Sequence, residues 1–333
     1  MSGCAIRRIT LVALSLCLAS PLAAADWKPS QPIEFIVTAG PGGGTDNFAR
    51  TIQSIVTKHK LIDQPIVVLN KGGGSGAEGF QYGKGPSGDA YKVTFATNNE
   101  YLLPLIAKLS WKGDDFTPVA AMAVDEFILW VNGKSDFRTA KAYIDAAKAK
   151  PETLKMGGSQ SKDTDQTLTS EITAATGAKF LYVPYKSGGE AAVQLAGGHI
   201  DSNTNNPSES IGQWKGGLVK PLCVFSAKRL AQGPKITDTM AWSDIPTCAE
   251  SGIPIEQYQQ PRTVWLPKDA PADAVAYYVA VLGKVRATPE WKEYIERSAQ
   301  TDRFLTGADL DNFVTQDEQK ARKVFQQEGW LIR

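Results

Sequence analysis

Histidine is almost absent from this chain of 333 residues: His59 and His199, far apart, are the only two. No HExxH pair, no CxxC pair and no Gly-x-Ser-x-Gly elbow occurs, so zinc hydrolases and serine hydrolases both lack their signatures here. A metal would need oxygen ligands alone, and neither a metal nor another cofactor is expected. Asp163 and Asp165 offer a pair of carboxylates, but acidic residues are common at helix starts for capping reasons, so no catalytic residue is assigned. An excess of charge of one sign is also missing. The 36 basic residues face 35 acidic ones, and no basic stripe is visible, which speaks against nucleic acid or a membrane surface as partner.

Long apolar runs are confined to the beginning. Arg7-Arg8, the apolar stretch from Ile9 to Leu18 and Ala23-Ala24-Ala25 before Asp26 read as a signal peptide over residues 1–25, cleaved after Ala25. Beyond it no stretch of about 18 apolar residues could span a bilayer, so an exported, soluble chain is expected. Of four cysteines, Cys4 and Cys17 leave with the leader. Cys223 and Cys248 remain, and their spacing leaves open a disulfide or two buried thiols.

Glycine is plentiful, and it is placed. Strand Ile33 to Val37 runs into Gly42-Gly43-Gly44-Thr45-Asp46, followed by Phe48, Ile52, Ile55 and Val56 at helical spacing. Three residues without Cβ leave backbone N–H groups at a helix start, where the macrodipole adds roughly +0.5 charge, a setting for a carboxylate or phosphate. No Lys or Arg lies between Thr38 and Asn47, and Thr45-Asp46 stands where a nucleotide-binding loop needs Lys-Ser/Thr, which argues against nucleotide hydrolysis. Asp46 reads chiefly as a helix N-terminal residue. Three similar junctions follow: Gly72-Gly73-Gly74-Ser75-Gly76, Gly157-Gly158-Ser159-Gln160-Ser161, and Ser187-Gly188-Gly189. Thr97-Asn98-Asn99 and Asn203 to Asn206 lie where strands should end, as Asx turns or as ligand contacts.

Alternating strands and helices over about 308 mature residues predict two α/β domains with mainly parallel sheets. Ligands of such sheets sit beyond the carboxyl ends of the strands, so four glycine junctions facing one cleft would make a pocket rich in N–H donors for a small organic anion.

Pro41-Gly42-Gly43-Gly44-Thr45-Asp46, Asn70-Lys71 with its glycines, Val183-Pro184-Tyr185-Lys186, Gly197-Gly198-His199-Ile200-Asp201, Ser226-Ala227-Lys228-Arg229 and Ile245-Pro246-Thr247 with Glu250 and Gly252 together resemble the tripartite tricarboxylate transporter receptors, also called the Bug family. The resemblance covers residues 30 to 333 and rests on the order and spacing of these motifs. It implies a type II periplasmic binding-protein fold, with one lobe from residues 26–126 plus 256–333, the other from 127–255, and the ligand cleft between them. It implies a monomeric receptor in the periplasm that closes on a carboxylate and delivers it to membrane permease subunits, or in some relatives serves a sensor. An exported ester hydrolase remains the distant alternative, without a nucleophile–histidine pair.

By position, the resemblance assigns ligand contacts to Gly42, Gly43, Gly44 and Thr45, to Gly73, Gly74, Ser75 and Gly76, and to Thr97 and Asn98 in the first lobe. Ser159, Gln160, Ser161 and Asn205 would face them from the second. Arg262 is either a clamp for a distal carboxylate or a hinge salt bridge. The closest resemblance is to terephthalate-binding members, which makes an aromatic dicarboxylate the leading ligand, ahead of an aliphatic one, with Phe80, Tyr101 and Trp130 as candidate ring neighbours.

Overall fold

A computed structural model describes residues 27–332; the leader read at 1–25 lies outside the described residues. The chain begins as β1 (Ile33–Val37), α1 (Gly44–Lys58), β2 (Ile66–Asn70), α2 (Ala77–Gly83), β3 (Lys92–Ala96), α3 (Asn99–Ile106) and β4 (Phe116–Glu126). At Phe127 it crosses to a second sheet, forming β5 (Ile128–Asn132), α4 (Ala140–Ala149), β6 (Lys155–Ser159), α5 (Thr164–Thr176), β7 (Leu181–Tyr185), α6 (Gly188–Ala196), β8 (Ser202–Asn205), α7 (Pro207–Lys215) and β9 (Val219–Val224). It then returns through β10 (Gln259–Pro267), α8 (Ala272–Ala287), α9 (Pro289–Ser298), β11 (Thr301–Leu305) and α10 (Gly307–Gln327).

The first sheet has the order β11-β4-β10-β3-β1-β2 and the second β7-β6-β8-β5-β9. The fold is the two-sheet α/β arrangement that the alternating pattern predicts, but the sheets are mixed. β1 pairs parallel with β2 and β3, and β6 with β7 and β8, whereas β10, β4 and β11 in one sheet and β5 in the other pair antiparallel. β4, β5 and β10 are the strands at the crossings, where the chain enters or leaves a sheet without a covering helix, while β11, between α9 and α10, adds to the edge of the first sheet beside β4.

Each sheet is buried on both faces, which is why its central strands read as short continuous apolar runs. In the first, Phe48, Ile52, Ile55 and Val56 of α1 pack with Phe35 and Phe95 on one face, while Phe80, Trp111, Phe116 and Phe325 fill the other. In the second, Phe127, Tyr143, Leu168 and Ile172 lie on one side, and Trp130, Trp214 and Trp242 on the other. Phe80, Tyr101 and Trp130 are thus core residues. Cys223 and Cys248, both fully buried and with Cα atoms 4.8 Å apart, are joined as a disulfide that ties β9 to the segment leading back to β10.

Helix starts explain how loops reach the space between the sheets. Asp163 caps α5 by accepting from the Thr164 amide at 2.6 Å, and Ser187 caps α6 by accepting from the Glu190 amide at 3.2 Å. α1 has Gly43 as N-cap and no side-chain cap, so its first donors face whatever approaches from the second sheet.

Candidate functional site

Between the glycine junctions of the two sheets lies a narrow cavity of about 30 Å³, room for about two waters, lined among others by Gly44, Thr45, Gln160, Gly188, Glu209 and Arg262. The two sides touch directly. Gln160 bridges them when its amide is oriented so that the oxygen accepts from the Gly76 amide at 3.1 Å and the nitrogen donates to Asp163 at 2.9 Å. Ser75 Oγ donates to the Ser161 carbonyl at 3.1 Å, and Thr164 Oγ1 donates to Asn98 Oδ1 at 3.1 Å. Ser75 (φ 59°) and Gln160 (φ 54°) both hold left-handed backbone at these meeting loop tips, a costly conformation for residues with a Cβ.

The anion-type donors are already engaged by carboxylates of the protein. Gly42 N–H donates to Asp46 Oδ2 at 2.9 Å, and Gly73 N–H to Glu78 Oε2 at 3.3 Å. Gly44 N–H, at the start of α1, donates at 2.7 Å to Oε1 of Glu209, which comes from α7 on the opposite side. Burial pushes the Glu209 carboxyl up to about 7, against the pull of Arg262 and the Gly44 amide. Burial also raises Asp163 and, more strongly, Asp165, whose Oδ2 accepts from the Ser159 amide at 2.5 Å.

Arg262, 1 % exposed, extends from β10 into this space. Its guanidinium donates to Thr45 Oγ1 at 2.9 Å and to Asn206 Oδ1 at 3.0 Å, and it forms an ion pair with Asp125 at the end of β4. Of the two roles open to it from sequence, a salt bridge at the crossing is the arrangement seen. Burial pushes the Asp125 carboxyl up while Arg262 pulls it back.

Of the residues singled out from sequence, Gly43, Gly44, Thr45, Thr97, Ser159, Gln160 and Arg262 line the cavity. Gly42 lies behind it, its carbonyl against Gly189. Gly73, Gly74, Ser75 and Gly76 form the neighbouring loop, with Ser75 meeting Ser161 at its rim. Asn98 turns away to donate to Asp317 at 3.1 Å. Asn205 belongs not to a loop but to the central strand β8, fully buried, where its amide donates to the Gly188 carbonyl at 2.8 Å. Ser187, Gly188 and Asn206 also line the cavity, from a glycine junction and an asparagine stretch marked in the sequence, and Glu209 lines it too, which sequence reasoning misses in that role. Asn206-Pro207 before Glu209 carries the signature of a helix start, the one signal in the chain that draws attention to α7.

Among the described residues no helix is long and apolar enough to cross a membrane, and no group of three or more His, Cys, Asp and Glu is placed to hold a metal.

A bilobed α/β receptor with a cleft at the glycine-rich strand ends is the class that this geometry defines. Residues 48–330 match TctC, the tripartite tricarboxylate transporter family receptor, and the chain belongs to that family. It is a periplasmic solute-binding receptor of the TctC/Bug type, a family of binding proteins rather than enzymes. The BugT protein of Bordetella pertussis is 28% identical over 241 residues, 71% of this chain and 70% of that protein. The structure of the periplasmic binding protein BugD superposes with a TM-score of 0.81 at 22% identity, covering 92% of this chain and 100% of the other. An R. palustris protein, Rpa4515, solved with adipate, superposes with a TM-score of 0.82 at 23% identity, covering 90% and 98%.

Proposed function

We propose that this receptor captures a small dicarboxylate between its lobes, residues 26–126 plus 256–333 and residues 127–255, and delivers it to the permease of a tripartite tricarboxylate-type transporter. The observation that carries the reading is the Gly44–Glu209 contact: a carboxylate held by the N-terminal amide of α1 joins one lobe to the other. A ligand carboxylate entering at this point would make the same link. The remaining sequence-assigned residues, from Gly73 to Gly76 and from Ser159 to Ser161, would close over it. A cavity of about 30 Å³ is far below the roughly 300 Å³ at the low end of small-molecule pockets, so the ligand enters an open form and stabilises a closed one.

A flat aromatic ring finds little support in the lining. Phe80, Tyr101 and Trp130 pack in the cores, and the cavity walls are glycine, hydroxyl, amide and charged groups. This favours an aliphatic dicarboxylate over terephthalate. A thermal-shift panel of terephthalate, phthalate, protocatechuate, adipate, citrate and glutamate tests both points, since a ligand at 100 times its dissociation constant stabilises by about 2.7 kcal/mol. No shift with any carboxylate would sink the reading, and a shift with terephthalate alone would restore the aromatic ligand.

A further inference from the structure

Each glycine junction supplies a carboxylate to its own loop. Asp46, Glu78, Asp165 and Glu190 accept from the amides of Gly42, Gly73, Ser159 and Lys186, in every case from the helix that the loop opens. Glu209 breaks this pattern. It belongs to α7 of one lobe and accepts from the Gly44 amide of the other at 2.7 Å. Because α1 has no side-chain cap, a carboxylate from across the gap fills the place that Asp163 and Ser187 fill in α5 and α6.

The surroundings are shaped to seat that carboxylate. At Gly188 the chain of α6 passes so close that a Cβ would collide with the Glu209 carboxyl, and only a glycine clears its path. The charged groups acting on it are Arg262 from β10, Asp125 from β4 and Asp165 from α5. With Glu209 seated, the cavity of about 30 Å³ has no room for a small organic acid. The seated side chain and a ligand carboxylate therefore exclude each other at the Gly44 amide.

We propose that Glu209 is a built-in competitor: it latches the two lobes together by itself, and a ligand carboxylate must displace it from the Gly44 amide. The displacement step rests on the carboxylate reading above. The receptor then exchanges between a self-latched form, an open form and a form closed on ligand, and only the open one admits the ligand. Apparent affinity is lowered in proportion to the share of protein that is latched. The latch yields because burial of the seated carboxyl, which pushes it up to about 7, works against its bond to the amide.

Small-angle X-ray scattering and calorimetry at pH 7 test this on the purified protein, Glu209→Ala and Glu209→Gln. Without added acid, wild type is expected to scatter as the closed arrangement described above. Glu209→Ala is expected to show a larger radius of gyration, and Glu209→Gln, which keeps an accepting oxygen, a value between the two. The panel acid that stabilises wild type most is expected to bind Glu209→Ala at least about threefold more tightly, since no competitor has to leave. If neither variant folds, the wild-type curve decides, and the radius of an open receptor would overturn the latch. Equal radii in wild type and the alanine variant, or weaker binding by that variant, would also overturn it and leave the carboxylate reading intact. Failure of every acid to bind any of the three proteins would overturn that reading and the displacement step with it, while the scattering still decides whether Glu209 holds the lobes.

Discussion

Arg262 and Asp125 form a buried ion pair where the chain crosses between its two sheets: the arginine is 1 % exposed and the aspartate fully buried. Asp125 is the second-last residue of β4, just before the crossing at Phe127, and Arg262 sits on β10, the first strand after the return. The same guanidinium reaches Thr45 of the glycine loop and Asn206 before α7. Removing one member of such a pair leaves an uncompensated buried charge. Arg262→Leu is therefore expected to lower the unfolding free energy by about 3–5 kcal/mol, measured by urea denaturation. A loss below about 1 kcal/mol would mean that water reaches the pair.

The disulfide closes a loop with a sequence separation of 25, inside a dry part of the second core. Its removal in Cys223→Ser/Cys248→Ser is expected to cost about 3 kcal/mol, from the regained freedom of the unfolded chain and two buried hydroxyls. Denaturation of the double variant beside the oxidised protein checks this, and coincident curves would show that the bridge adds no stability.

At Gly43 the chain approaches the opposite lobe: a Cβ there would lie 3.1 Å from the Ser187 Cβ. Its backbone, at φ −77°, accepts any residue, so Gly43→Val should fold, yet its branched side chain would prop the lobes apart. We expect an unchanged far-ultraviolet circular dichroism spectrum and no thermal shift with any carboxylate that stabilises the wild type. Retained binding would show that closure does not need this contact.

Glu209 also makes the folded state pH-dependent. Its carboxyl is held up to about 7 by burial, so the folded form binds the proton more tightly than the unfolded one. Its share of stability is fully present below the ordinary carboxylate range and is lost as the pH rises through about 7. Glu209→Gln has no such loss, so its melting temperature relative to wild type is expected to rise between pH 5 and pH 8. A pH-independent difference would contradict the raised value. Glu126 and Glu171, likewise pushed to about 7 mainly by burial, titrate in both proteins and cancel from the comparison.

Local chemistry is legible in the chain itself. The limits of β1 follow from its apolar run, α5 ends at Gly177 in a left-handed turn, and α9 opens at Thr288-Pro289. These depend on neighbours in sequence, and so does the order of glycine junctions that points to the receptor family. β8 is not legible, because Ser202-Asn203-Thr204-Asn205 has the composition of a turn, and only pairing with β5 and β6 on its two sides makes it a central strand.

By itself the sequence determined two α/β domains with glycine loops at their strand ends, because hydrophobic period and bare backbone act over a few residues, and the order of its motifs carried the resemblance to the receptor family. Only the tertiary structure decided that the α1 amide meets Glu209 and that Arg262 spends its charge on Asp125. Those partners lie far apart along the chain, and the crossing of two sheets alone brings them within hydrogen-bonding reach.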